Sequence, residues 1–311
     1  MSILVDENTK LLVQGITGKQ GSYHTEKIMA YGTRVVAGTS PGKGGMTACG
    51  SVPVFNTVAE ALEHHPEINA TMIIVPPAGV LASALEAIQG RIPLIVIITE
   101  FIPVHDAIKL NYAAKQRNIT VIGGNTIGVI SPGKGKIGVM PDYIYKPGRI
   151  GVISRSGTLT HETASNLTFA GFGQSTCVGI GGDAVGGLNH TQVLELMRTD
   201  PETEAVIMIG EIGGTSEEDA AAYLKDTDYP KPVFAYIAGI QAPEGKKMGH
   251  AGAIVSGSSG SAKSKVMALQ SAGVKVAETT GRLIELIAEL DRQCAGRFST
   301  VTPIRDDKME E

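Results

Sequence analysis

The chain has 311 residues, of which 42% are hydrophobic and 19% are charged, and its formal net charge is −4. This length suits two domains, and the composition is that of a folded protein and not of a disordered one. The weak negative charge offers no electrostatic basis for binding nucleic acid, and no apolar run approaches the ~18 residues of a membrane span, so we expect a cytoplasmic or organelle-matrix protein.

The first half of the sequence alternates strand-like and helical segments. Apolar runs that suit strands lie at 11–15, 34–38, 71–75, 94–98 and 119–122. Helical patterns lie between them, at 22–31, 58–63, 78–88 and 104–117. Strands separated by helices of about 10–15 residues indicate βαβ units and a parallel sheet. We therefore predict a Rossmann-type domain over residues 1–146.

The same alternation restarts after a predicted linker, Lys146-Pro147-Gly148. Strand-like runs follow at 150–153, 174–180, 205–210 and 233–237. Helical patterns follow at 159–168, 191–199, 217–225, 261–271 and 280–290. This pattern predicts a second, flavodoxin-like open α/β domain over residues 147–295. Residues 296–311 lose the periodicity, and we expect them to form an irregular tail that is poorly ordered or contacts a partner.

The first strand and the first helix are joined by a glycine-rich turn, Gly15-x-x-Gly18-x-x-Gly21. A turn in this place presents backbone N–H groups and a helix N-terminus to a phosphate. A glycine-rich loop alone is a weak signal, and this one departs from the G-x-G-x-x-G pattern of dinucleotide sites. Phosphate binding is therefore predicted, without a choice of ligand.

The residues at the end of the second strand indicate which kind of phosphorylated ligand is expected. An NAD site expects an acidic residue about 20 positions after the glycine turn, where it binds the ribose hydroxyls. This sequence has Gly38-Thr39-Ser40-Pro41-Gly42-Lys43 there, which supplies a cation and no acid. Lys43 favours a phosphorylated adenosine ligand such as coenzyme A, or NADP, although a solvated loop lysine is the ordinary alternative.

Two further loops follow strands of the second half. Ser154-Arg155-Ser156-Gly157-Thr158 opens a helix, so its hydroxyls are either helix caps or part of an anion site at the helix N-terminus. Gly210-Glu211-Ile212-Gly213-Gly214 ends another strand. A carboxylate there either caps its own loop or orients an imidazole and selects the nitrogen that reacts.

A single histidine lies in a glycine-rich stretch, 242–254, after the strand-like run 232–240. In Gly249-His250-Ala251-Gly252 the two glycines let backbone approach the ring closely. Such a loop suits an imidazole that moves and is chemically modified, and equally a structural histidine in a tight turn. No Walker A motif occurs, so a nucleoside triphosphate that takes part is expected on another chain.

Together these motifs resemble the α subunits of the succinyl-CoA synthetase family, in order and spacing, from residue 1 to about 290. The residues that carry the resemblance are Thr17–Gly21, Thr39–Gly45, Ile98–Glu100, Ser154–Thr160, Gly179–Asp183, Gly210–Gly214 and Gly249–Ala253. The resemblance implies coenzyme A in the N-terminal domain and a phosphorylated histidine in the second. It also implies a β subunit with an ATP-grasp domain, in a heterodimer or heterotetramer, which binds ATP or GTP with Mg²⁺.

The resemblance assigns roles to individual residues. His250 is expected to carry the phosphoryl group, Glu211 to orient it, and Ser156, Gly157 and Thr158 to face the phosphate. The coenzyme A site is expected to use Thr17, Gly18, Lys19, Gln20, Lys43, Ile98, Thr99 and Glu100. His161 and Asn125 are expected at the carboxylate substrate, and no metal ligand is expected on this chain.

Three departures from the family pattern affect the acyl pocket and not the phosphoryl site. They are Gly123–Gly128, His161 in place of the usual tyrosine, and Asp183–Gly187. The implied reaction joins succinate and coenzyme A, driven by ATP or GTP, through a phosphohistidine and an acyl phosphate. The departures keep another carboxylate, such as citrate or malate, as an alternative. A coenzyme A- or NADP-binding protein without catalysis is the alternative of a different class.

Overall fold

The computed structural model describes residues 2–241, 249–254 and 260–301. Two seven-stranded sheets, with helices packed against them, form this part of the chain, which confirms the predicted α/β class. Within these ranges no helix is long and apolar enough to cross a membrane. Residues 242–248 of the predicted His250 stretch lie outside the described residues, and so do residues 302–311 of the predicted tail.

The first sheet has the strand order of a Rossmann fold. Its strands are β1 Lys10–Gln14, β2 Arg34–Thr39, β3 Thr47–Ala48, β4 Val52–Phe55, β5 Ala70–Ile73, β6 Leu94–Ile97 and β7 Thr120–Gly123. The helices between them are α1 Lys19–Tyr31, α2 Val58–His64, α3 Val80–Gln89 and α4 Val104–Gln116. The order is β3-β4-β2-β1-β5-β6-β7, and only β3 is antiparallel to its neighbour. Without β3 this is the dinucleotide-binding order, in which ligands bind beyond the strand ends where the order reverses.

The second sheet has a flavodoxin-like parallel core. Its strands are β8 Gly128–Ser131, β9 Gly135–Gly138, β10 Pro147–Ser154, β11 Gln174–Gly179, β12 Ala205–Glu211, β13 Val233–Ala238 and β14 Lys275–Ala277. Its helices are α5 Gly157–Phe169, α6 His190–Thr199, α7 Ser216–Asp226, α8 Ala262–Ser271 and α9 Thr280–Gln293. The order is β14-β13-β12-β10-β11-β8-β9, and β8 and β9 form an antiparallel hairpin at the β11 edge.

Burial and helix capping explain why these segments form these elements. Every residue of β5, β6 and β12 is buried, as expected for strands covered on both faces of a parallel sheet. The N-caps of α2 and α9 are Thr57 and Thr279, whose side chains accept hydrogen bonds from the first helical turn. Asn189 and Gln192 form a capping box at the start of α6.

The predicted linker at 146–148 is wrong, because Pro147 and Gly148 begin β10 and Pro147 pairs with Gln174. The hairpin β8–β9 was also not predicted, and it joins the second sheet well before the boundary expected at residue 146. The hairpin contacts the first domain as well, since Thr33 Oγ1 donates to the carbonyl of Lys136 at 2.9 Å. Its short glycine-rich strands lack the apolar alternation by which strands are identified in a sequence.

The described start of the tail packs against the second domain. Ser299 forms a bridge with Phe172, and Phe298 is only 3% exposed. Asp291 on α9 accepts hydrogen bonds from the backbone of Phe298 and Ser299. The described residues 296–301 are thus irregular in conformation and pack against the second domain.

Candidate active site

The glycine turn after β1 leaves a helix N-terminus open. Gly18 is the N-cap of α1 and provides no side-chain cap, while Lys19 and Gln20 are exposed. The first N–H groups of a helix have no partner within it, and they attract anions together with the helix dipole. Gly15 has φ +89°, and a Cβ there would lie 2.5 Å from the Ile74 carbonyl oxygen, so this turn requires glycine.

Lys43 brings a cation to the same place. Its Nζ donates to Thr17 Oγ1 at 3.1 Å, and Thr17 Oγ1 donates to Ser40 Oγ at 2.9 Å. The end of β2 thus meets the glycine turn through two hydroxyls and an exposed ammonium group. These groups are donors suited to phosphate, at the point where an NAD site would present a carboxylate.

The loop after β6 connects the first sheet to the second. Ile98 is half-buried and Glu100 is exposed, while Thr99 Oγ1 donates to the Val75 carbonyl at 2.7 Å. The Thr99 carbonyl accepts from the Asn125 N–H at 2.9 Å, and the Asn125 carbonyl accepts from the Gly182 N–H at 3.1 Å. A continuous backbone path therefore runs from the first-sheet loop to the loop after β11.

His250 lies at the other end of this path. A Cβ on Gly182 would lie 2.6 Å from His250 Cγ, so the ring packs directly against the Gly182 backbone. The Gly252 N–H donates to the Gly182 carbonyl at 3.2 Å. The histidine segment thus sits on the β11 loop, and its position requires a residue without a side chain at 182.

Glu211, at the end of β12, holds one nitrogen of the ring. His250 Nδ1 lies 2.8 Å from Glu211 Oε2, and the Glu211 side chain is 10% exposed. A carboxylate accepts only, so Nδ1 carries the hydrogen and Nε2 of the neutral ring keeps a lone pair. The hydrogen bond to Glu211 raises the pKa of His250, against the lowering effects of burial and of Arg155.

Arg155 is a member of this cluster that the sequence did not single out. Its Nε lies 3.4 Å from Glu211 Oε1, an oxygen with no hydrogen-bond partner, and its Nη1 donates to the Gly213 carbonyl at 3.2 Å. A Cβ on Gly252 would lie 2.5 Å from Arg155 Nη2. The guanidinium therefore touches Glu211, its turn and the histidine segment at once.

Arg155 also connects the cluster to the predicted phosphate loop. Ser156 is the N-cap of α5, and its Oγ accepts from the Leu159 N–H at 3.3 Å. Gly157 and the exposed Thr158 begin the helix. Ser156 is thus a helix cap, as the simpler interpretation expected, and the helix N-terminus directly follows a residue in contact with Glu211.

His161 has a different partner. Its Nδ1 lies 2.8 Å from the hydroxyl of Tyr145, which is only 2% exposed. Burial lowers the pKa of His161, which favours the neutral form of the ring. Tyr145 lies just before β10 and next to the predicted linker 146–148, and the sequence assigned it no role.

Asp183 is a second side chain that sequence reasoning did not assign. Its carboxylate accepts a hydrogen bond from the Asn125 side chain, and it lies close enough to Glu100 and His250 to interact with both charges. Burial, and to a lesser extent Glu100, raise the pKa of Asp183, against that hydrogen bond. Its place between the first-sheet loop and the histidine segment arises only from the contact between the two domains.

Two family models match this chain. A CoA binding domain matches residues 6–101 and a CoA-ligase model matches residues 153–275. The fold and these matches define a coenzyme A ligase with a separate coenzyme A-binding domain.

Curated relatives identify the family within that class. The succinate–CoA ligase [ADP-forming] subunit α of Aquifex aeolicus is 53% identical over 93% of this chain and 95% of that protein. Subunit α 2 of the enzyme of that name from Archaeoglobus fulgidus is 50% identical over 93% of this chain and 100% of that protein. The chain belongs to the family of succinate–CoA ligase α subunits.

A solved structure shares the fold. The ATP citrate lyase from Methanothrix soehngenii, in complex with citrate and coenzyme A, superposes with a TM-score of 0.86 at 22% identity. The alignment covers 99% of this chain and 53% of that protein, so the chain spans about half of its length. At this identity the likeness concerns the fold alone.

Proposed function

We propose that this chain is the α subunit of a succinate–CoA ligase that works with a nucleotide-binding β subunit. The observation that carries the proposal is the 2.8 Å contact between His250 Nδ1 and Glu211 Oε2, which leaves Nε2 as the free nitrogen. The names and the identity of the curated relatives support succinate as the acid. We expect the complex in the cytoplasm.

The first step is phosphorylation of His250. Its Nε2 attacks the γ-phosphorus of ATP or GTP, an N–P bond forms, and the bond to the leaving nucleoside diphosphate breaks. The nucleotide and its Mg²⁺ are expected on an ATP-grasp domain of the β subunit. On this chain, Glu211 holds the ring and would stabilise its positive charge, and Arg155 and the N-terminus of α5 are expected to stabilise the developing phosphate charge.

The second and third steps form the thioester. A carboxylate oxygen of succinate attacks the phosphorus, the N–P bond breaks, and succinyl phosphate results. The thiol sulfur of coenzyme A then attacks the acyl carbon, loses its proton and expels phosphate. The phosphohistidine and the acyl phosphate thus divide one difficult overall reaction into easier displacement steps.

The cluster around Lys43 suits the phosphates of coenzyme A. Lys43, Thr17 and the N-terminus of α1 gather donors at the ends of β1 and β2. The pantetheine arm would then run along the strand ends, past Ile98, Thr99 and Glu100, toward Asn125. The backbone path from Thr99 through Asn125 to Gly182 leads from there to His250.

Phosphopeptide mapping of the purified complex tests the proposal. After incubation with ATP labelled in its γ-phosphate and with Mg²⁺, we expect acid-labile phosphate on His250 that is lost when succinate and coenzyme A are added. Citrate and malate, tested in the same discharge assay, distinguish the substrate alternatives. Absence of phosphate, together with tight binding of NADP, would favour the non-catalytic alternative.

Lys43→Glu is expected to weaken coenzyme A binding without blocking phosphorylation of His250. Loss of one charge-assisted contact costs about 1.5–3 kcal/mol, and the new negative charge repels phosphate. Titration calorimetry with coenzyme A measures the change, and Lys109→Glu, at an exposed position on α4, is the control for net charge. An unchanged dissociation constant would show that Lys43 does not contact coenzyme A.

The chain by itself is expected to lack ligase turnover with ATP. The sequence contains no Walker A motif, and the two sheets found in the described part of the chain belong to the domains described above. Succinyl-CoA formation is to be measured with the chain alone and with its copurified partner. Full turnover by the isolated chain would contradict the assignment of the nucleotide to a second subunit.

A further inference from the structure

A fully buried ion pair lies beneath the end of β12. Glu217 on α7 and Lys265 on α8 are both 0% exposed, and Lys265 Nζ donates to Glu217 Oε2. Removing two charges from water is costly, and well-packed apolar residues in their place are often neutral or stabilising. Stability alone therefore does not account for this pair.

The pair holds both ends of the turn that follows β12. Glu217 Oε1 accepts a hydrogen bond from the backbone N–H of Glu211 at 3.1 Å. Lys265 Nζ donates to the Gly214 carbonyl at 3.1 Å and to Glu218 Oε2 at 3.1 Å. Glu217 thus holds the backbone of Glu211, and Lys265 holds the backbone of Gly214 at the other end of the turn.

The same turn supports the histidine segment. A Cβ on Gly213 would lie 2.0 Å from the Gly252 carbonyl oxygen, so the two backbones are in direct contact. The Gly213 N–H donates to the Gly260 carbonyl at 2.8 Å. The turn therefore touches the chain shortly after His250 and again just before α8, the helix that carries Lys265.

Glu217 is ionised in this setting. Burial by itself raises the pKa of its carboxyl, but its interactions with His190, Lys265 and Arg155 lower the pKa overall. Because Arg155 also contacts Glu211 Oε1, the two carboxylates share one guanidinium environment. A neutral pair at 217 and 265 would change that environment as well as the turn.

We propose that Glu217 and Lys265 are positioning residues that hold the turn 211–214 so that Glu211 keeps Nδ1 of His250. The contribution of this pair to catalysis rests on the proposed function, whereas the effect of the pair on His250 is a property of this chain. The pair acts through Glu211 and touches no reacting atom. Arg155 and Asp183 are the other charged groups near His250, and they stay unchanged in the test.

Two double variants separate the hydrogen bond from the charges. Glu217→Met with Lys265→Met replaces the pair by apolar side chains and removes the acceptor for the Glu211 N–H. Glu217→Gln with Lys265→Met also removes both charges, but the amide oxygen still accepts that N–H. Leu269→Ala, at a fully buried position of α8, destabilises the same helix without touching the turn.

The pKa of His250, measured by NMR on the ring-labelled full chain, reports on positioning. In the double-methionine variant we expect it to fall toward the ordinary value of about 6.5. Phosphorylation of His250 in the complex should slow by about 10–100-fold, the loss typical when the hydrogen-bond partner that orients a metal-binding histidine is removed. The variant with Glu217→Gln and Lys265→Met should recover part of the pKa of His250 and part of its phosphorylation rate. Leu269→Ala should keep the wild-type pKa.

The readouts also separate this inference from the proposed function. A double-methionine variant with the wild-type pKa and phosphorylation rate overturns the positioning role. Equal losses in Leu269→Ala also overturn it, because the effect would then come from instability. If the wild-type complex takes up no phosphate, the proposed function fails, and the pKa comparison still decides whether the pair positions Glu211.

Discussion

His250→Asn is expected to abolish phosphorylation and turnover while the fold stays intact. Loss of a catalytic nucleophile reduces rates by on the order of 10⁴-fold or more. The asparagine amide still offers a donor toward Glu211, and the His250 side chain is 27% exposed, so the melting temperature should change little. The measurement is single-turnover phosphorylation of the complex with labelled ATP, beside a thermal melt.

The control for this variant is His161→Asn. His161 is one turn into α5, and its Nδ1 is held by the Tyr145 hydroxyl, so it cannot turn toward a distant phosphoryl donor without losing that bond. We expect His161→Asn to keep phosphorylation and to change the Michaelis constant for the acid. Phosphate found on His161 in the His250→Asn complex would show that the reactive residue was assigned wrongly.

Glu211→Gln is expected to slow phosphorylation by on the order of 10²–10⁴-fold, because an amide no longer selects the tautomer that leaves Nε2 free. It also removes the main cause of the raised pKa of His250. The ring must be neutral to attack, so activity falls as the pH drops through that pKa. The acid limb of the pH profile should therefore move to lower pH in the variant, while the maximal rate decreases.

Two controls accompany Glu211→Gln. One is the thermal stability of the variant itself, and the other is Glu195→Gln, at an exposed position of α6. Neutralising Glu211 leaves the largely buried Arg155 without its charged partner, so the melting temperature of the full chain should fall. Glu195→Gln should match the wild type in rate and in stability. A Glu211→Gln variant with an unmoved acid limb would mean that Glu211 does not govern the ionisation of His250.

The order of strands and helices followed from the sequence because apolar periodicity is local. The runs at 11–15, 94–98 and 205–210 became β1, β6 and β12 with ends within two residues of those predicted. The hairpin β8–β9 did not follow, because strands of four residues rich in glycine gain their stability from pairing with β11 and not from their own pattern. The linker at 146–148 was wrong for the same reason, since Pro147 is ordered by its pairing with Gln174.

The sequence by itself determined the class of the two domains, the loops at the strand ends and the family, because these depend on residue type, order and spacing. It drew attention to His250, Glu211 and Lys43 through their glycine-rich surroundings. Only the tertiary structure brought Arg155 onto Glu211, Asp183 beside Asn125, and Lys265 onto Glu217. Each of these contacts joins different loops or helices of the fold. The partner of each side chain therefore depends on how sheets and helices pack, and it cannot be inferred from spacing along the chain.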